Sequence, residues 1–145
     1  MVPQSTLPFT IFVRGLARPK GSKRVFLNPS TGRPILVDDN RATLRIWQSA
    51  MHGYIGQEWT GPTIDAVPLG VTYEFIFPLP ASAPKRNPPK WKHTQPDTDK
   101  LARAVSDVLQ GVVFRNDAQI ASLVVLKRYG EVEGVHIRVS AIEAP

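Results

Sequence analysis

The stretch "PDTDKLARAVSDVLQGVVFRNDAQIASLVVLK" (Pro96 to Lys127) changes its apolar spacing once, and that change decides the fold. Leu101, Ala104, Val105, Val108 and Leu109 recur at helical spacing, which predicts an amphipathic helix beginning near Thr98. Gly111 follows the last of them and suits the C-terminal cap. From Ile120 to Lys127 the chain reads as a strand. Steps of about 100° per residue place Asp99, Arg103 and Asp107 in one row, opposite the face of Leu101, Val105 and Val108. That row is free to meet a ligand.

Working outward, "LGVTYEFIF" alternates Leu69, Val71, Tyr73, Phe75 and Phe77 with Gly70, Thr72, Glu74 and Ile76, the clearest strand in the chain. Before it, Leu44, Trp47, Met51, Tyr54 and Ile55 share a helix face that starts from an N-cap at Asp39 or Asn40. "FTIFVRG" (Phe9 to Gly15) reads as the first strand, and "VFLNPSTGRPILV" as a hairpin or excursion loop around Asn28 to Gly32. Pro78 to Pro96 holds six of the fourteen prolines with Lys85, Arg86, Lys90, Trp91, Lys92 and His93; this composition predicts a mobile loop. The strands Ile120 to Lys127 and Val135 to Ala141 flank "RYGEVEG" as a hairpin. The order strand, helix, strand, helix, strand, strand gives an α+β fold with two main helices packed on a mixed sheet. No internal repeat is visible, and 145 residues suit a single domain spanning positions 1 to 145.

The absence of cysteine excludes disulfides, thiolate metal sites and a cysteine nucleophile. The N-terminus lacks a basic segment ahead of an apolar run, and no stretch approaches the ~20 apolar residues of a membrane span. The expectation is a soluble, unexported protein of the cytoplasm, in a bacterial cell or a phage-infected host. The formal charge of +6 is uneven. Met1 to Val37 carries Arg14, Arg18, Lys20, Lys23, Arg24 and Arg33 without an acid, and Phe75 to Pro96 repeats the pattern. Such stretches suit a surface that attracts a polyanion, or serve only to keep the chain soluble.

Against that background the aspartates stand out. Asp97 and Asp99 sit at the mouth of the second helix, and Asp117 lies in the turn before the next strand, from which its carboxylate can swing toward the pair if that strand lies beside the helix. Ordinary capping, an Asp99–Arg103 ion pair and a turn-forming Asp117 are the plain alternative. Carboxylates on a phosphate-binding face repel their ligand unless a divalent cation bridges them, and oxygen-only donors suit Mg2+, with Mn2+ as a substitute. A cation held there activates water and polarises a phosphodiester, which is nuclease chemistry. No EF-hand loop is present, and His52, His93 and His136 make no recognisable triad with a serine. Trp91, between Lys90 and Lys92, either stacks on a base or sugar or anchors the loop to the core.

The segment Pro96 to about Lys127 resembles the RusA family of Holliday-junction resolvases, whose signature runs approximately P-D-x-D-N-x-x-K, D-x-L and D-D-A-Q. "PKGSKR" near the N-terminus looks like the phage-encoded branch of that family. The resemblance implies metal-binding carboxylates at Asp97, Asp99 and Asp117, the helix aspartate at Asp107, and a catalytic cation at Arg103. Three positions depart from the pattern: Lys100 replaces Asn, Arg103 replaces Lys, and Asn116 replaces the first of two acids. The family further implies a homodimer, Mg2+ dependence and paired nicks across a four-way junction. Lys20, Lys23, Arg24, Lys85, Arg86, Lys90, Lys92 and Lys100 are the candidate DNA contacts. The other reading is a non-catalytic protein that binds branched DNA.

Overall fold

The computed structural model describes residues 6–18, 23–38 and 41–142. In chain order the elements are β1 (Phe9–Arg14), β2 (Lys23–Leu27), β3 (Pro34–Asp38), α1 (Arg41–Glu58), β4 (Leu69–Phe77), α2 (Thr98–Leu109), a 3-10 turn (Asp117–Gln119), β5 (Ile120–Tyr129) and β6 (Gly134–Ala141). A four-stranded sheet runs in the order β1-β6-β4-β5, and β2 with β3 forms a separate antiparallel hairpin. The expected α+β class with two main helices on a mixed sheet is therefore present, and the segment around Asn28 to Gly32 is a hairpin. Among the described residues no helix is long and apolar enough to cross a membrane.

Strand β4 takes the centre of the sheet: Leu69, Val71, Tyr73, Phe75 and Phe77 are buried on its core face, Gly70, Thr72 and Glu74 are half-buried on the other, and Ile76 is covered there. It pairs antiparallel with β6 on one side and parallel with β5 on the other. Parallel neighbours need a crossover, and α2 supplies it. This arrangement corrects one expectation: β5 and β6 follow each other in sequence but do not pair, since β4 lies between them. The sequence pattern of β5 explains its outer place, for Leu123 and Val124 are both exposed and no alternation buries a whole face.

Leu69, Val71, Tyr73, Phe75 and Phe77 join Leu101, Ala104, Val105, Val108 and Leu109 of α2 in one continuous core. From α1, Leu44, Trp47, Met51 and Ile55 enter it as expected, but Tyr54 stays exposed. Tyr54 lies at the margin beside β1, where the sheet ends, and lines a cleft of about 680 Å³ with Thr10 to Arg14. The N-cap expected at Asp39 or Asn40 lies outside the described residues. Glycine is required by geometry at Gly111 and at Gly134. Gly111 adopts φ +87 just past α2, a left-handed conformation that a Cβ disfavours. A Cβ on Gly134 would meet the Val13 carbonyl oxygen at 2.5 Å, so β6 and β1 approach as closely as they do only with glycine there.

One polar pair is sealed inside the core: Tyr73 Oη and Ser106 Oγ share a hydrogen bond of 2.8 Å. Burial pushes the Tyr73 hydroxyl well above its ordinary pKa, with the Ser106 bond opposing and the nearby Asp117 charge adding to the rise. A buried hydroxyl left without its partner costs about 1–3 kcal/mol, whereas removing both is close to neutral. Urea denaturation should therefore show Tyr73→Phe and Ser106→Ala each destabilising by about that amount, and the double variant losing less than the sum of the two.

Candidate active site

The acidic residues are placed by the two ends of α2. Asp97 is its N-cap in extended conformation, yet its side chain makes no capping hydrogen bond. The carboxylate instead lies 3.6 Å from Lys100 Nζ and is about half exposed. Simple capping therefore does not account for it. Asp99 occupies the first turn and is exposed, where the helix dipole favours negative charge. Arg103 and Asp107 continue the exposed row as the spacing requires. Asp107 faces α1 and lines a groove with Arg45, Gln48, Ser49 and His52.

Asp117 belongs to the opposite end of the helix. Its backbone N–H donates to Gln110 Oε1 at 2.8 Å, and Gln110 is the C-cap of α2. Twelve residues of α-helix are about 18 Å long, and the Asp117 turn and the Asp97–Asp99 pair are anchored at its opposite ends. Among the described residues no three Asp, Glu or His side chains come together at metal-binding distance. The turn that carries Asp117 is nonetheless firmly built. Asn116 Oδ1 accepts from the Ala118 N–H at 2.9 Å, while Gln119 Oε1 accepts from the Asn116 N–H at 2.9 Å. The Gln119 amide also donates to the carbonyls of Ile64 and Val67. Asn116 thus departs from the family acid without loss of the turn, because what the turn uses is a side-chain oxygen.

The basic segment forms neither helix nor sheet strand, as expected, and is attached to β5 at one point. Lys92 N–H donates to Lys127 O and Tyr129 N–H to Lys90 O, so Trp91 forms a bridge with Arg128 on the outer edge of β5. Trp91 itself is 51% exposed, which rules out burial in the core as its role. Lys90 Nζ stands 5.0 Å from its ring centroid, and Lys92 Nζ lies over the rings of Phe77 and Tyr129. Lys85 and Arg86 are exposed. Lys23 and Arg24 lie on β2, and Lys20 is outside the described residues.

Sequence reasoning missed Lys127. It projects from β5 in register with Phe75, on the helix-bearing side of the sheet, and its Nζ donates to the carbonyls of Thr94 and Pro96. Partial burial, and then the Lys92 charge, hold its pKa below the usual lysine value, while Asp97 acts in the opposite direction. The available signal was a lysine set in line with Val125 and Tyr129 on an otherwise apolar strand face.

The exposed Asp97–Asp99 pair offers oxygen donors of the kind that suit a divalent cation. The match to a family model agrees: Endodeoxyribonuclease RusA covers residues 17–140, and the chain belongs to that family. Its members are nucleases that resolve Holliday junctions; they bind branched DNA, and nucleases of this kind use a divalent metal. No curated protein matches the chain.

The reading of Asn116 is open to measurement. Asn116→Asp should keep stability within about 0.5 kcal/mol, since the oxygen acceptor remains, while Asn116→Ala should cost about 1 kcal/mol in chemical denaturation.

Proposed function

We propose that this chain is a Mg2+-dependent Holliday-junction resolvase that works as a homodimer and makes paired nicks, in the cytoplasm of a bacterial cell or phage-infected host. The observation that carries this reading is the carboxylate of Asp97, which occupies an N-cap without capping, beside Asp99 and close to Lys100 and Lys127. Asp97 and Asp99 are hard oxygen donors that suit Mg2+. Asp117 completes the set only if it comes from a second copy. Bound there, the cation supplies Lewis-acid polarisation of the scissile phosphodiester and a more acidic water. Lys85, Arg86, Lys90 and Lys92 hold the DNA backbone against the acidic repulsion, Lys20, Lys23 and Arg24 track another arm, and Lys100 and Arg103 balance charge along α2.

The free edge of β5 supports the dimer. Its C-terminal part is covered by the Trp91 bridge, but Leu123 and Val124 are exposed beside unpaired backbone. A twofold antiparallel pairing of two such edges would carry Asp117 of each copy along the other's β5 toward its Lys127, where Asp97 lies.

Asp97→Asn, Asp99→Asn and Asp117→Asn proteins should each fail to cut a labelled four-way junction in Mg2+ while still binding it. Full cleavage by Asp99→Asn would sink the metal assignment. Mixing Asp99→Asn with Asp117→Asn under conditions of subunit exchange should restore nicking, because one of the two sites in each heterodimer is then intact. No restoration would point to sites built within one chain. A band shift with no product from the unmodified protein in Mg2+ or Mn2+ would favour the non-catalytic binder.

Phosphate contact by the loop predicts a second result. Replacing Lys85, Arg86, Lys90 and Lys92 together with Ala, in an Asp99→Asn background, should flatten the slope of log affinity against log salt by about 3 to 4 units. An unchanged slope would remove the loop from the DNA interface.

A further inference from the structure

Lys127 ties the strand that begins after one carboxylate to the segment that ends at the others. Its Nζ lies 2.6 Å from Thr94 O and 2.7 Å from Pro96 O, the second belonging to the residue directly before Asp97. The Lys127 carbonyl accepts from the Lys92 N–H, and Lys92 Nζ reaches Thr94 Oγ1 at 2.9 Å. Residues 92 to 96 are thus held to β5 from both the backbone and the side chain of one lysine. The Leu101 N–H donates to Asp97 O, so the backbone of Asp97 is fixed from the helix side as well. An ammonium at this place does what no apolar residue can: it satisfies two carbonyls that converge ahead of a helix N-terminus, where further N–H donors all point along the helix axis.

We propose that Lys127 is a positioning residue of the nuclease site, which sets the direction of the Asp97 and Asp99 carboxylates by clamping the Thr94 and Pro96 carbonyls to β5. The proposal rests on the reading of Asp97 and Asp99 as metal ligands. It assigns the lysine no contact with the phosphodiester. Groups that orient metal ligands typically change metal affinity or activity by roughly 10- to 100-fold when removed. Arginine can donate to two carbonyls at once, although from a planar fork rather than a point charge, so it should restore part of the function.

The test is metal binding without DNA. Mn2+ affinity of the full chain is measured by electron paramagnetic resonance for the unmodified protein, Lys127→Met and Lys127→Arg, alongside junction affinity in EDTA and kcat in Mg2+. The expected result is an approximately tenfold weaker Mn2+ affinity and a matching loss of kcat in Lys127→Met, with junction affinity within about twofold of the parent, and substantial recovery in Lys127→Arg. Unchanged Mn2+ affinity in Lys127→Met overturns the proposal. So does a loss of junction affinity with metal binding intact, which would make Lys127 a DNA contact. If Lys127→Met does not fold, Lys127→Gln, which retains a short donor, is judged by the same measurements. Failure of the unmodified protein to bind Mn2+ would defeat the metal site itself, whereas equal binding by parent and variant defeats only the role of Lys127.

Discussion

Pairing of β4 along both of its edges is the constraint on which the rest of the molecule depends. Its core face buries Leu69, Val71, Tyr73, Phe75 and Phe77, and its two edges are taken by β6 on one side and β5 on the other. Because the β5 pairing is parallel, the chain has to travel back over the sheet between the two strands, and α2 is that return path. The direction of α2 then follows. Its N-terminus stands near the Lys127 end of β5, and its C-terminus near the start of β5. The loop before α2 and the turn after it inherit those positions, and with them the aspartates.

Much of this was legible in the residues. The alternation in Leu69–Phe77 and the apolar stripe in Thr98–Leu109 were strong enough to fix both elements, because burial acts on every second or every third to fourth side chain and leaves its period in the sequence. Gly111 was legible as a terminator for a similarly local reason. Strand pairing was not. "RYGEVEG" has the composition of a hairpin turn, and no local signal in Ile120–Tyr129 or Gly134–Ala141 says that a third strand is inserted between them. Pairing is decided by competition for the edges of β4, which is a property of the whole chain.

The site divides along the same line. Residue types and spacing around Asp97, Asp99 and Asp117 pointed to cation chemistry, and the exposed row with Arg103 and Asp107 followed from helical geometry alone. What spacing along the chain could not convey was the separation imposed by the length of α2, or the contribution of Lys127, which lies 30 residues beyond Asp97 in sequence and reaches its neighbourhood only through the sheet. The proline-rich loop makes one contact that its composition did not announce. Prolines exclude it from helices and central strands, but three residues between them suffice to bridge a strand edge, and Lys90 to Lys92 do so.

The pairing of β1 with β6 has a consequence for biosynthesis. The first strand of the sheet lies against the last, with Phe9 opposite Val139 and Arg14 opposite Gly134, and β6 is the strand through which β1 joins the sheet. As the chain leaves the ribosome, β1 therefore waits unpaired while more than a hundred residues are added. Contacts this distant in sequence form slowly because the closure of a long loop precedes any gain from the contact. The β6-facing edge of β1, beside Ile11 and Val13, stays open to other nascent chains or to chaperones until β6 has been made.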